Sequence, residues 1–192
     1  RAPRLYSIPD FGIIRLGMDE FAISSDLGET WNDMRWKNYV CLAALPDTTA
    51  PDTSWILASY VVPDDVREDC YVHLYDEQWS RISYTLQTGM GKIFALQAAG
   101  PDRLLAAAST GLYESRDLGS TWTQRFDGCY TTLHRMPAGT LYATGPDVVR
   151  YSYDNGAHWS MIPCDFSQAD TTVGLDLIAR GGVVLMATGV LP

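Results

Sequence analysis

Cationic side chains are scarce in this sequence. Its 192 residues include 14 Lys and Arg against 23 Asp and Glu, which gives a formal net charge of −9. Two of the cations are lysines, Lys37 and Lys92. Proteins that bind nucleic acids or anionic membranes concentrate Lys and Arg on one face to displace counterions. The composition therefore argues against nucleic acid as a partner.

Long apolar runs are also missing. The most apolar stretch, residues 173–192, is interrupted by Asp176, Arg180 and several glycines, so we expect no membrane insertion. No charged-then-apolar leader opens the chain. Because the sequence begins at Arg1, we expect it to start inside a longer or processed product. The sequence does not indicate the cellular compartment of the protein.

The cysteines lack the spacing of a metal site. There is no CxxC pair and no interleaved histidine, which argues against zinc, and the sequence also lacks a Gly-rich phosphate loop followed by a helix. We predict no metal and no cofactor, and we interpret the four cysteines as mostly buried small apolar residues. They are Cys41, Cys70, Cys129 and Cys164.

An internal repeat organises the chain. The segments SSDLGETW (24–31), SRDLGSTW (115–122) and SYDNGAHW (152–159) share the pattern Ser-x-Asp-x-Gly-x-x-Trp, and YDEQW (75–79) is a degraded fourth copy. The four aspartates at 26, 76, 117 and 154 lie 50, 41 and 37 residues apart. That spacing is typical of the four-stranded blades of a β-propeller.

A second repeat alternates with the first. Residues 5–17, 41–59, 94–109, 133–145 and 175–189 each set two apolar runs about a short turn rich in Pro, Gly or Asp, which is a hairpin signal. The chain thus reads as strands A-B-C-D four times, followed by one more A-B pair. We predict an all-β propeller of four-stranded antiparallel blades, with small and apolar residues in the innermost strand A. The single domain, residues 1–192, would contain blades at about 4–36, 38–85, 91–126 and 129–162 and a half blade at 172–189, and would be incomplete or closed by other strands.

The repeated residues have a structural explanation. An Asp side chain can accept hydrogen bonds from the backbone of a C–D turn, a Gly can adopt positive φ, and a Trp can pack on the neighbouring blade. A calcium site is the competing interpretation, but the pattern lacks the further carboxylates of a six- to eight-oxygen shell. We assign this structural role to Asp26, Gly28, Trp31, Asp76, Trp79, Asp117, Gly119, Trp122, Asp154, Gly156 and Trp159.

This pattern resembles the Asp-box, or BNR, repeat of sialidases, sortilin-type receptors, photosystem assembly factors and microbial and phage propellers. The family mixes glycosidases with non-catalytic binding and assembly proteins, so the resemblance implies a fold rather than an activity.

In sialidases a Phe/Tyr-Arg-Ile-Pro motif supplies an arginine that binds the substrate carboxylate. Here the matching stretch reads Tyr6-Ser7-Ile8-Pro9, and the serine cannot replace that cation. Arg15, Arg35, Arg67 and Arg125 could supply other cations, but no spacing among them indicates a triad, and Tyr84 and Tyr130 are weak candidates for a nucleophile.

The face formed by the B–C and D–A connections is where family members usually bind. Two connections there, residues 60–69 and 162–170, are longer than hairpins require, and such excess length is where function concentrates. The candidate binding residues on this face are Arg35, Lys37, Asp64, Asp65, Arg67, Arg125, Asp127 and Asp165.

Two functions remain open at this point. The first is a non-catalytic propeller that binds a protein partner or self-associates, for example as a structural component of a virion such as a phage tail. The alternative is a carbohydrate-binding or glycosidase propeller with a sialidase-like fold.

Overall fold

The computed structural model describes residues 4–8, 12–17, 20–35, 39–46, 54–61, 70–76, 78–101, 103–136, 138–146, 148–162, 172–180 and 183–190. For residues 8, 45–46, 54–61, 172–180 and 183–190 the description covers the backbone. These residues form strands and turns, without a helix in the described ranges.

The described strands fall into consecutive antiparallel sheets. Blade 1 contains β1 (Arg4–Ile8), β2 (Gly12–Leu16), β3 (Phe21–Ser24) and β4 (Asn32–Asp33). Blade 2 contains β5 (Tyr39–Pro46), β6 (Ser54–Val61), β7 (Cys70–Tyr75) and β8 (Arg81–Gln87). Blade 3 contains β9 (Ile93–Ala98), β10 (Leu104–Ala108), β11 (Gly111–Ser115) and β12 (Thr123–Asp127). Blade 4 contains β13 (Thr132–Arg135), β14 (Leu141–Gly145), β15 (Val148–Ser152) and β16 (Ser160–Ile162), and a half blade contains β17 (Thr172–Arg180) and β18 (Val183–Val190).

Each four-stranded sheet pairs its strands in chain order, and the half blade pairs β17 with β18. This is the predicted A-B-C-D order, with the turns between A and B and between C and D on one face and the B–C and D–A connections on the other. The predicted all-β propeller with four complete blades and an A-B half blade is thereby confirmed. That residues 1–192 form a single domain, incomplete or closed by other strands, stays a prediction.

Three interfaces between successive blades hold the core. One cluster joins blades 1 and 2 around Phe21 and Tyr39, a second joins blades 2 and 3 around Val72 and Ala106, and the remaining clusters join blades 3 and 4. Strands β13 and β14 in turn contact β17 of the half blade. Packing between neighbours along the chain is the principle of a radially repeated fold.

The register identifies equivalent positions in the four blades. A leucine in strand A stands opposite an alanine in strand B in three of them, as the pairs Leu42–Ala58, Leu96–Ala106 and Leu133–Ala143. In blade 1 the corresponding leucine, Leu5, stands opposite Arg15. Leu42 and Leu96 are 2% and 6% exposed, and Leu5 is 67% exposed. The leucine is therefore buried where a preceding blade of the described chain covers it.

An aromatic group fills the side of blade 2 that faces blade 1. The His73 ring stacks on Tyr75 and Tyr84 at centroid distances of 6.1 and 5.9 Å, and it meets Tyr39 edge-on at 5.7 Å. Burial of the imidazole, aided by the charge of Arg81, lowers the pKa of His73 to about 4. The ring is consequently held in its neutral form near pH 7.

Candidate functional site

A cavity of about 860 Å³ lies among the innermost strands of the four complete blades. Its lining comprises residues 4–7 of β1, 42–44 of β5, 95–97 of β9 and 131–135 at β13. Among the described strands, strand A of each complete blade pairs only with strand B, so its other edge offers backbone donors and acceptors to the cavity. The volume is within the range of small-ligand and peptide pockets.

One end of the cavity is built around Arg4. Its guanidinium donates a hydrogen bond of 2.8 Å from Nη1 to the carbonyl oxygen of Phe94 at the beginning of β9. Beside it, Tyr6 contacts the Arg4 side chain and the backbone of Leu42. Burial is the main cause that raises the pKa of Tyr6, so its hydroxyl stays protonated. Three blades therefore meet at this cationic end.

The other end is built around Arg135. Its guanidinium donates to the carbonyl oxygen of Ala98 at 3.2 Å and to Oδ1 of Asn155 at 2.9 Å. His134 is adjacent in the same strand and also lines the cavity. Strand A was expected to hold mainly small and apolar residues, so these cations are functional candidates that the sequence analysis missed. The available signal was an arginine immediately before the apolar segment 5–17 and another inside the segment 133–145.

The structure describes three of the eight residues predicted for the binding face. Arg35 follows β4, is exposed, has φ of 57° and donates its backbone N–H to Oδ1 of Asp33. Asp127 is exposed at the end of β12. Lys37, Asp64, Asp65, Arg67 and Asp165 lie outside the described residues.

The third, Arg125, differs from its expected place. It lies within β12, and its Nη2 donates to the carbonyl oxygen of Ala157 in the C–D turn of blade 4 at 3.3 Å. C–D turns lie on the face opposite the B–C and D–A connections, so the Arg125 guanidinium points away from the predicted binding face. It also lies 3.5 Å from Oε2 of Glu114, which gives the physical reason for this orientation.

The first Ser-x-Asp-x-Gly-x-x-Trp segment forms a hydrogen-bonded turn between β3 and β4, here called a box turn. Ser24 donates from Oγ to Asp26 at 2.7 Å and accepts from the N–H of Gly28 at 2.8 Å. Asp26 accepts from the N–H and Oγ of Thr30, at 2.9 and 2.5 Å. The indole N–H of Trp31 donates to the carbonyl of Gly28 at 3.1 Å, which closes the turn.

The box turns at 115–122 and 152–159 repeat this network. Asp117 and Asp154 each accept from the backbone N–H four residues on at 2.8 Å, and the two tryptophans donate to Gly119 and Gly156. Both glycines have positive φ, 85° and 84°, as does Gly28 at 95°. These conformations explain why glycine stands at that position. In the third turn His158 replaces threonine, and its Nδ1 lies 2.6 Å from Oδ2 of Asp154.

Hydrogen bonding keeps the box aspartates ionised. The bonds from the side chain and backbone of Thr30, followed by the bond from Ser24, lower the pKa of Asp26 to about 2. The backbone and side chain of His158 lower the pKa of Asp154 well below its usual range. For Asp117, partial burial raises the pKa, but the bonds from Thr121 and Ser115 outweigh it and leave a lowered value.

The degraded copy retains part of the network. Asp76 accepts from the N–H groups of Gln78 and Ser80 at 3.0 and 2.7 Å. Trp79 packs edge-on against Phe21 of blade 1 at 5.2 Å. Trp122 and Trp159 likewise pack against cores that include the preceding blade. The shorter Asp-to-Trp spacing of this copy therefore preserves the contact between blades.

A cluster of one buried glutamate and three arginines, which the sequence analysis did not predict, joins blades 3 and 4. Glu114 is 5% exposed, and its carboxylate lies 3.3, 2.7 and 3.5 Å from the guanidinium nitrogens of Arg103, Arg116 and Arg125. Arg103 in addition donates to the backbone carbonyl of Asn155 in the box turn of blade 4 at 2.7 Å. The cluster thus orients two arginines, Arg103 and Arg125, toward blade 4. No local sequence motif predicts this arrangement.

The tyrosines considered as nucleophiles lie away from the cavity lining. Tyr130 is buried, and its hydroxyl accepts from Nε of Arg150 at 2.8 Å. Tyr84 is on the outer strand β8, where its ring stacks on His73 and lies under the guanidinium of Arg81. Both side chains are occupied in packing.

Two further features are absent from the described part of the chain. No group of three or more His, Cys, Asp or Glu residues there is arranged to hold a metal ion. Nor does that part contain a helix of the length and apolarity needed to cross a membrane. Of the cysteines, Cys41 and Cys70 are buried and Cys129 is half-buried, while Cys164 lies outside the described residues.

The structure is similar to several solved propeller-type proteins, although the sequence matches no protein-family model and no curated protein. YCF48 bound to a D1 peptide superimposes with a TM-score of 0.59 at 14% identity, covering 98% of this chain and 66% of that one. The GH74 enzyme of Niastella koreensis gives a TM-score of 0.64 at 14% identity, covering 97% and 32%. YCF48 from Cyanidioschyzon merolae gives 0.53 at 16% identity, covering 87% and 61%.

The chain thus spans less than two thirds of the length of each of these proteins. Identities this low show the fold and leave the activity undetermined. Together with the blade order and the inner-strand cavity, the comparisons identify this chain as a β-propeller.

Proposed function

We propose that this chain is a non-catalytic propeller module that binds a protein partner as part of a larger assembly. The central cavity carries the proposal, because four free strand edges and side chains with hydrogen-bonding groups converge on it. An extended peptide is recognised by such a combination of backbone edges and side-chain pockets. The similarity to a propeller solved with a bound peptide also supports a peptide-binding function.

The box turns fit a bracing role in this proposal. We assign them to the Asp-box repeat, in which the aspartates hold the C–D turns and the tryptophans pack on the neighbouring blade. Their carboxylates are already engaged by backbone and side-chain donors of the same turn. A role in catalysis or calcium binding would require those oxygens for another partner.

Selection from a random peptide display library tests the proposal. We expect enrichment of a peptide family whose binding is lost when Gln97, a half-buried residue of the cavity lining, is replaced by the larger Trp in a variant that still shows a cooperative thermal transition. Enrichment of no peptide, or of peptides whose binding this substitution leaves unchanged, would contradict it.

The carbohydrate alternative has one favourable observation. The exposed ring of Tyr153 offers a flat apolar surface, and one similar structure is a GH74 enzyme. A glycan array and a panel of fluorogenic glycosides test this alternative. Saturable glycan binding or turnover, without peptide enrichment, would favour it over the protein-binding module.

A further inference from the structure

The two cavity arginines lie at opposite ends of one strand edge. Arg4 donates to the carbonyl of Phe94 and Arg135 to the carbonyl of Ala98, both on β9. The two carbonyls are four residues apart, which corresponds to at most about 13 Å along a strand, because the pairing of β9 with β10 shifts register at Phe94. From Leu96 to Ala98 the pairing is regular and backbone groups alternate with a period of two, so the N–H and C=O of Leu96 face the same edge as the Ala98 carbonyl. The cavity therefore has a strand edge at its middle and a cation at each end.

The charge of this lining contrasts with that of the chain. The chain has a net charge of −9, whereas the described lining contains two arginines, one histidine and no carboxylate. Other described arginines, such as Arg15 and Arg103, pair with glutamates. Among the described residues, Arg4 and Arg135 instead bond to carbonyl and amide oxygens and have no carboxylate within 4 Å.

The hydrogen bonds also orient both guanidinium groups. A guanidinium has five N–H donors, and the contacts above engage Arg4 with two groups, the carbonyl of Phe94 and the hydroxyl of Tyr6, and Arg135 with two. A cation that is already oriented loses less side-chain entropy when it binds an anion. The remaining donors match the two oxygens of a carboxylate.

We propose that the cavity binds an acidic peptide segment in extended conformation, with one carboxylate on Arg4 and another on Arg135. Two acidic side chains at positions i and i+4 of an extended chain point the same way and are separated by about 13 Å, which is similar to the spacing of the two β9 carbonyls that orient the cations. The peptide backbone between them runs along the edge of β9 at Leu96. This inference rests on the proposed protein-binding function and adds the chemistry of the partner.

Fluorescence anisotropy with three labelled twelve-residue peptides tests the inference on the intact chain. The probe carries two glutamates at i and i+4 in a Gly/Ser/Thr background. A second peptide has glutamine at both positions, and a third places the two glutamates side by side. We expect the probe to bind at least tenfold more tightly than either comparison peptide, since one charge-assisted contact is worth about tenfold.

Protein variants locate the contacts. Arg4→Gln and Arg135→Gln should each weaken binding of the probe about tenfold, and Arg4→Lys and Arg135→Lys should weaken it less. Arg81→Gln is the matched control, because it removes the same charge from the outer strand β8 and should leave affinity unchanged. Circular dichroism and thermal melting verify that each variant is folded.

The outcomes separate this inference from the function on which it rests. Equal affinity for the glutamate and glutamine peptides overturns the inference, as does equal weakening by Arg81→Gln. Binding of free glutamate or inorganic phosphate with the affinity of the probe would also overturn it, because a single small anion would then suffice. Display selection of neutral peptides would retain the protein-binding function while rejecting the acidic partner.

Discussion

At the scale of single residues, the box aspartates stabilise the turns through hydrogen bonds that are repeated in three blades. Replacing Asp117 with Ala removes the acceptor for the N–H and Oγ of Thr121 and for Oγ of Ser115. We expect the free energy of unfolding to fall by about 1 kcal/mol, since these groups become solvated in an exposed turn. Urea denaturation measures it, with the exposed Asp127→Ala as a control that should stay within about 0.5 kcal/mol of the original chain. Equal losses in the two variants would contradict the bracing role.

His73 makes stability depend on pH. Its pKa in the folded chain is lowered to about 4, mainly by burial, from an ordinary value of about 6.5. The unfolded chain thus binds the proton more readily, and the stabilisation present above pH 6.5 is lost as the pH falls toward 4. We expect a loss of roughly 2–3 kcal/mol over this range.

Unfolding in urea at several pH values measures this loss. In His73→Phe, which keeps an aromatic ring in the stack, the slope between pH 6.5 and 4 should become shallower. An unchanged slope would show that other groups cause it. The box aspartates act at lower pH: the pKa of Asp26 is depressed to about 2, so its contribution is present above pH 4 and is lost below it.

At the scale of strands and blades, the buried Glu114 joins two sheets. Glu114→Gln keeps the shape of the side chain but leaves three arginines without their anionic partner, and Arg103 is itself largely buried. Removing one member of a buried ionic cluster is costly, so we expect a loss of about 2–3 kcal/mol in the free energy of unfolding. Glu29→Gln, at an exposed site in the first box turn, is the matched control for chemical denaturation. A loss below about 0.5 kcal/mol in Glu114→Gln would show that the cluster adds no stability.

The equivalent leucines of strand A provide a second comparison between blades. Leu96→Ala removes a buried side chain at the interface of blades 2 and 3, so we expect a loss of about 2–4 kcal/mol. Leu5→Ala changes the same strand position where the side chain is mostly exposed, and it should cost less than about 1 kcal/mol. Thermal and urea unfolding of the two variants measures the difference. Similar losses would mean that Leu5 is covered in solution.

The sequence predicts local structure better than contacts between blades. Ser24, Asp26, Gly28 and Trp31 lie within one turn, so their spacing is sufficient to predict it. The position of Arg125 depends on which residues the next blade presents, and Glu114 pairs with arginines up to 11 positions away, so no local pattern encodes either arrangement. The cavity arginines were missed for a related reason: Arg4 precedes one apolar segment and Arg135 lies within another, and only the arrangement of four inner strands brings them to one cavity.

At the scale of the whole molecule, the half blade differs from the other sheets. Strand β18 covers eight residues and, among the described strands, pairs only with β17. A long strand edge with an apolar sequence is a template for another strand. We therefore expect self-association that increases with concentration, measured by light scattering after size-exclusion chromatography.

A pair of variants tests whether that edge is responsible. Leu185→Lys should reduce association because a lysine on an edge strand disfavours pairing with another chain, whereas Leu185→Ala should reduce it less. A monodisperse monomer at all concentrations for the original chain would contradict the prediction.

The order of strand pairing also bears on how the chain acquires its structure. Every described pairing joins strands that are consecutive along the chain, so each sheet closes only short loops. Short loops carry a small entropic cost and favour rapid local folding. During synthesis each blade can form soon after its fourth strand emerges and then serve as the surface on which the next blade assembles. We therefore expect the blades to fold one after another during synthesis, beginning with blade 1.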